Sequence, residues 1–206
     1  MCQEQLKKEQ IGQWYRPSRW QYLLYDIYRD WGRHEEQIHQ ARKLALLGDR
    51  DFYQTAKDLL IEAGYWQEEH PGFLAELKAA RPTYEYMEIL KREGDTELLM
   101  EQVRLHPETV FQYGDVLVQT HRKEIFELCI TVIREHAAQS SNRKEYQKLC
   151  VFIESLAGFG GRDEAQSLII EFRQTYPRRP AFLDELGQTE QTIAKKNKEA
   201  ISLKPS

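Results

Sequence analysis

The chain has 206 residues, 41% hydrophobic and 30% charged, with a formal net charge of −4. That apolar content supports a folded core and excludes wholesale disorder, while the acidic balance argues against nonspecific binding to DNA or anionic membranes and leaves a local basic patch open. Three cysteines (Cys2, Cys129 and Cys150) with no CxxC pair, no apolar run of membrane-spanning length and no hydrophobic signal core at the N-terminus point to reduced thiols, a cytoplasmic location and no membrane partner.

Residues 1–17 read as a polar tail or fold-back segment ending at Pro17. Ser18 and Gln21 have the spacing of a capping box, which opens a helix over 18–31. This helix carries Trp20, Tyr22, Tyr25, Tyr28 and Trp31, with Trp14 and Tyr15 just upstream. Such an aromatic segment serves either as a stacking platform for bases or a partner's peptide, or as core packing alongside Leu23, Leu24 and Ile27. Helices over 34–47 and 51–63 follow, separated by Gly48-Asp49. Pro71 suits the first position of a helix reaching Ala80. The stretch from Thr83 to Pro107 predicts two short helices joined at Glu93-Gly94-Asp95, with Gly94 in the left-handed position and Asp95 as the next cap.

Further on, the pattern predicts helices over 108–120 and 122–139, the second apolar on more than one side. Asn142 and Glu145 have cap spacing before a helix over 143–157. Helices over 162–175 and 181–194 complete the chain, with Tyr176-Pro177-Arg178-Arg179-Pro180 as the break between them. Residues 195–206 read as a basic tail bearing Lys195, Lys196 and Lys198. No stretch alternates as a strand would.

The glycine turns recur. Gly32, Gly64 and Gly94 lie 32 and 30 residues apart; a turn near Thr120-His121-Arg122 lacks the glycine, and a further one falls at Gly158–Gly161. A helix-turn-helix period of this length is the mark of a tetratricopeptide-like solenoid. The expected fold is all-α: a right-handed α-solenoid of about five degenerate helical hairpins over 18–194. Leu59, Leu60, Leu90, Leu99, Leu117, Leu128, Leu149, Leu156, Leu168 and Leu186 are its expected core.

No motif commits the chain to catalysis. His34 and His39 are five residues apart, about 140° around a helix at 3.6 residues per turn, so one ion does not easily reach both. The Gly158–Gly161 run lacks the strand and lysine of a phosphate loop. The acidic residues fall on helix surfaces among Lys and Arg, as solvated faces do. The expectation is a non-enzyme with no catalytic residue, cofactor or metal site in this chain.

The runs Asn142–Tyr146, Gly160–Ala165 and Tyr176–Leu186 resemble the C-terminal end of bacterial SWIM zinc-finger proteins, and the hairpin Tyr84–Leu105 resembles a segment upstream of it in the same family. The resemblance implies a helical-repeat region downstream of a small zinc-binding module, in a setting associated with nucleic-acid-related complexes. The finger's cysteine and histidine pattern is absent here, so no cysteine of this chain is carried over as a ligand.

Together these readings predict a scaffold for protein–protein interaction. Its candidate partner-binding residues are Tyr84, Tyr53, Trp20, Tyr25, Arg178 and Arg179. Tyr84 is the best of these, because a helical wheel turns it toward Glu88 and Lys91 and away from Met87 and Leu90. The alternative is a nucleic-acid module acting through Arg178-Arg179 and residues 195–198, unless the two arginines instead pair with Asp184 or Glu185. Finally, the helix from Arg19 to Trp31 is not polar on its outer side, as a terminal repeat should be. Residues 1–17 folding back through Trp14 and Tyr15 are the favoured cover, ahead of a second copy or an upstream domain.

Overall fold

The computed structural model describes residues 17–81 and 83–202, with side chains through residue 196. Every regular element among the described residues is helical: α1 (Arg19–Asp30), α2 (His34–Leu46), α3 (Arg50–Glu62), α4 (Trp66–Ala80), α5 (Thr83–Glu93), α6 (Thr96–Leu105), a 3-10 turn (Pro107–Thr109), α7 (Val110–Gln139), α8 (Arg143–Gly158), α9 (Arg162–Thr175) and α10 (Pro180–Ser202).

Local chemistry sets these boundaries. The α1 capping box forms, with the Ser18 N–H donating to Gln21 Oε1 at 2.8 Å. Asp49, Asp95 and Asn142 cap α3, α6 and α8 through their side-chain oxygens. The predicted partner of Asn142 reaches one residue further back than a capping box requires: the Glu145 carboxylate accepts from the Ser141 N–H at 2.6 Å, and that bond holds its pKa below the usual carboxylate value.

Five joints are one and the same turn. Gly32, Gly48, Gly64, Gly94 and Gly160 have positive φ. In each, the residue after the glycine donates its N–H to a carbonyl five positions back: Tyr28, Leu44, Leu60, Leu90 and Leu156 respectively. This is the Schellman closure, and the residue after the glycine is also the N-cap of the next helix. At Gly94, φ is 72°, which a side chain bearing Cβ tolerates poorly. Gly32, Gly48 and Gly64 stand 16 residues apart, so the 32-residue interval from Gly32 to Gly64 is two helix-plus-turn steps, whereas the 30 residues from Gly64 to Gly94 hold helices of unequal length, α4 and α5.

The chain forms two compact units that meet in sequence at Tyr86 and Met87, inside α5. In the first, α2 packs on α1, α3 and α4, and α3 on α4. Ala41, Ala45 and Ala56 bring the helices close, and Leu44, Leu60, Phe73 and Leu77 fill the centre. In the second, α7 packs on α6, α8 and α9, and α10 packs on α8 and α9. Within each unit, helices therefore touch both the next helix and the next but one.

Helix α7 is bent sharply. His121 has φ −122° and ψ 33°, outside helical values. Phe111 and His136 both rest on the Phe152 ring, at centroid separations of 4.1 and 5.3 Å. A straight helix rising ~1.5 Å per residue would hold these two residues about 37 Å apart. Residues 110–120 and 122–139 are thus two arms folded toward each other at His121, where the sequence predicts a turn.

Three expectations are corrected. Helix α4 starts at Trp66, not at Pro71, which lies inside it; the added turn is held by Trp66 against His70, at 4.3 Å, and by Lys57 over the Trp66 ring, at 5.3 Å. The last helix runs past 194 to Ser202, through a stretch of good helix formers, and Lys196 pairs with Glu154 at 3.0 Å. Leu59 and Leu128 are half-buried, while the other eight expected core leucines are buried. The fold-back of residues 1–17 through Trp14 and Tyr15 lies outside the described residues, apart from Pro17.

Candidate functional site

Helix α1 turns its sides the opposite way from an ordinary amphipathic helix. Its one buried residue is Gln21, whose backbone carbonyl accepts from Gln40 Nε2 at 3.0 Å. Beside it, the Tyr25 hydroxyl accepts from Gln37 Nε2 at 3.1 Å, and its ring meets Phe52 edge-on at 4.9 Å. The Tyr22 hydroxyl donates to Asp49 at 2.7 Å. That hydrogen bond, together with burial, pushes the Tyr22 pKa up to about 12. The inner side of α1 is thus a hydrogen-bonded aromatic seam.

The outer side carries the most apolar residues. Trp20 is 75% exposed, Leu23 44%, Leu24 37% and Trp31 73%. At 3.6 residues per turn, Trp20, Leu24, Ile27 and Trp31 fall within about 60° of arc, with Leu23 at their edge. Singly exposed apolar side chains are ordinary; here two tryptophans and two leucines share one side of a single helix. Apart from the two indole N–H groups, the stripe they form offers water no hydrogen bonds, and the aromatic faces offer large area at little conformational cost.

The other predicted partner residues separate. Tyr84 is 50% exposed on α5, as the wheel predicts. Tyr53 is not a surface residue: it is 1% exposed and stacks on Phe73 at 5.6 Å. Its spacing with Ala56 and Leu60 (i, i+3, i+7) puts it on the core stripe of α3. Tyr25 is half-buried in the seam, and Trp20 heads the exposed stripe. Arg178 is exposed. Arg179 donates to the Ala137 and Ser140 carbonyls at the end of α7, both at 3.0 Å, and lies 4.2 Å over the Tyr176 ring. The expected pairing of these arginines with Asp184 or Glu185 is made instead by Arg143, whose Nε donates to Glu185 at 2.6 Å. Of the C-terminal lysines, Lys195 is exposed, Lys196 is ion-paired and the Lys198 side chain lies outside the described residues.

Two shallow concavities, of about 310 and 350 Å³, adjoin on the first unit and share His39 and Arg42. Their chemistry is internally satisfied: Arg42 pairs with Glu69 at 2.5 Å and Glu76 at 3.1 Å, and its guanidinium lies over Phe73. Among the described residues, no three His, Cys, Asp or Glu side chains converge as metal ligands, and no helix is long and apolar enough to cross a membrane. Cys129 and Cys150 are buried, and burial pushes their thiols up to about 12 and about 11.

What the sequence reading missed is the direction of α1. Its aromatics were visible, but the hydroxyl partners that turn the tyrosines inward lie on α2 and at the head of α3. Comparison with protein-family models, curated proteins and solved structures finds no match to this chain.

Proposed function

We propose that this chain is a non-enzymatic helical-repeat scaffold that works by protein–protein interaction, with the outer face of α1 as its docking surface. The observation that carries the reading is the inverted helix: Gln21 buried, Trp20 and Trp31 about three-quarters exposed. Exposing two tryptophans and two leucines on one face costs solubility, and a partner that covers them recovers it. The 16-residue step of the first unit and the next-but-one packing within both units support reading each as a run of a right-handed, tetratricopeptide-like solenoid, an architecture that presents extended surfaces to partners. The resemblance of residues 142–186 to the region downstream of the SWIM finger adds the expectation that the scaffold works beside a zinc-binding module.

The test is site-specific photo-crosslinking in the intact chain. A benzoylphenylalanine placed at Trp20 or Trp31 is expected to give a discrete adduct. The same probe at Lys123, whose side chain is 92% exposed on α7, is expected to give none. Adducts at all three positions or at none would count against a dedicated surface on α1.

A further inference from the structure

We propose that the occupant of the α1 outer face is the same face of a second copy of the chain, laid antiparallel across a two-fold axis; this rests on the docking reading above and names its partner. The spacing of the stripe supports it. Trp20, Leu24, Ile27 and Trp31 are separated by four, three and four residues, a pattern that reads the same in both directions. An antiparallel partner therefore sets Trp20 against Trp31 and Leu24 against Ile27, and the two-fold repeats both pairs. An isologous interface demands this self-complementarity: if one residue meets another, the reverse contact also forms.

The flanking charges choose the orientation. Beyond Leu23, on one flank of the stripe, lie Arg19 near the start of α1 and Asp30 at its end, about 20° apart around the helix. Both are exposed. Antiparallel packing brings like flanks together, so Arg19 of each copy falls about 3 Å along the axis from Asp30 of the other. A parallel pair would instead turn this flank toward the partner's opposite flank, which Gln21 and Tyr25 hold into their own unit. Charge complementarity thus selects the antiparallel arrangement and gives it two equivalent ion pairs at the rim.

Size sets the class of interface. A tryptophan buries on the order of 150–250 Å² in full, and Trp20 and Trp31 have about three-quarters of that to offer; with the aliphatic residues each side stays below the ~800 Å² of a standard interface. Self-association reversible on dilution is expected of so small a contact.

The test is sedimentation velocity of the full chain across a concentration series, with Arg19→Asp, Asp30→Arg, the double variant and an equimolar mixture of the two single variants. Circular dichroism confirms that each is folded. Each single variant puts like charges at both rim positions and is expected to weaken association about ten-fold or more. The double variant and the mixture restore opposite charges and are expected to recover it. Single variants that associate like the parent, or a mixture no better than its components, would overturn the antiparallel pairing. A parent chain that is monomeric throughout overturns the second copy as occupant; if the Trp20 probe then crosslinks a different protein, the docking reading survives. If the chain is monomeric and Trp20 is shielded from acrylamide quenching until residues 1–16 are removed, the stripe is covered within the chain and both readings fall.

Discussion

The Tyr22 hydroxyl donates to the Asp49 carboxylate at 2.7 Å, and that one residue, through its carboxylate and its backbone N–H, ties three helices together. Its other oxygen accepts from the Asp51 and Phe52 N–H groups at the head of α3, at 3.0 and 3.4 Å. The Asp49 N–H closes the end of α2 onto Leu44, at 3.2 Å. The folded state holds the Tyr22 proton more tightly than the unfolded chain, with a pKa near 12 against 10. The stabilisation is therefore fully present below pH 10 and is lost as pH rises toward 12. Tyr22→Phe should remove that part of the alkaline loss, seen as a smaller drop in urea midpoint between pH 9.5 and 11.5 than the parent shows. An unchanged drop would mean that the bond contributes nothing to folding. Asp49→Ala should additionally lose the cap, about 1 kcal/mol at neutral pH.

The glycine turns differ in what they leave beside the backbone. A Cβ added at Gly94 meets nothing within 4 Å, whereas one at Gly48 would lie 2.6 Å from Arg81 Nη1. Gly94→Ala should cost only the left-handed backbone penalty, roughly 1–2 kcal/mol. Gly48→Ala starts from a φ of 112° and must also push aside a guanidinium paired with Glu85, so its loss should be the larger. Equilibrium unfolding of the two variants side by side settles the order.

These turns explain how much of the fold was legible. Gly32, Gly64 and Gly94 announce themselves because few other residues take a positive φ, and Asp95 and Asn142 announce the helices that follow. Pro71 misled: as a preferred first helical residue it hides the turn that Trp66 and His70 build ahead of it. The candidate surface was half legible. The stripe spacing from Trp20 to Trp31 is in the sequence, but so are Tyr22, Tyr25 and Tyr28 on the other sides of the same helix. Which side faces in was decided by Gln37, Gln40 and Asp49, distant in sequence and polar, where a hydrophobicity pattern gives no weight. Tyr53 failed for the opposite reason: its i, i+3, i+7 relation to Ala56 and Leu60 was available and points inward.

The two buried thiols give a reactivity prediction. Burial raises Cys129 to about 12 and Cys150 to about 11, so almost no thiolate exists at neutral pH. In a Cys2→Ser background, the native chain should react with a disulfide reagent at least about a hundred-fold more slowly than the urea-unfolded chain, because reaction must wait for opening. A stoichiometric fast phase under native conditions would show that one of these helices opens readily.

The bend at His121 gives the last prediction. Phe152 is the shared seat of both α7 arms: the Phe111 ring lies parallel to it, 2° apart in plane, and the His136 ring meets it edge-on at 84°. Lys148 lies 5.6 Å over the same ring, shielding it from solvent. Nothing at the bend itself resembles the glycine turns, since His121 leaves helical values with a negative φ of −122°. What keeps the arms folded together is then the packing at their far ends, where a small angular change moves the contacts most. Phe152→Ala should cost roughly 2–4 kcal/mol, toward the low side for a phenylalanine because the ring is only half-buried. The loss should also have a signature that a simple cavity in α8 lacks. Amide exchange should accelerate near both Phe111 and His136, 25 residues apart in sequence, and to a similar extent. Phe152→Leu, which fills most of the volume, should restore much of the protection in both arms together. Faster exchange confined to α8, with both arms of α7 unchanged, would show that the bend is set at His121 alone.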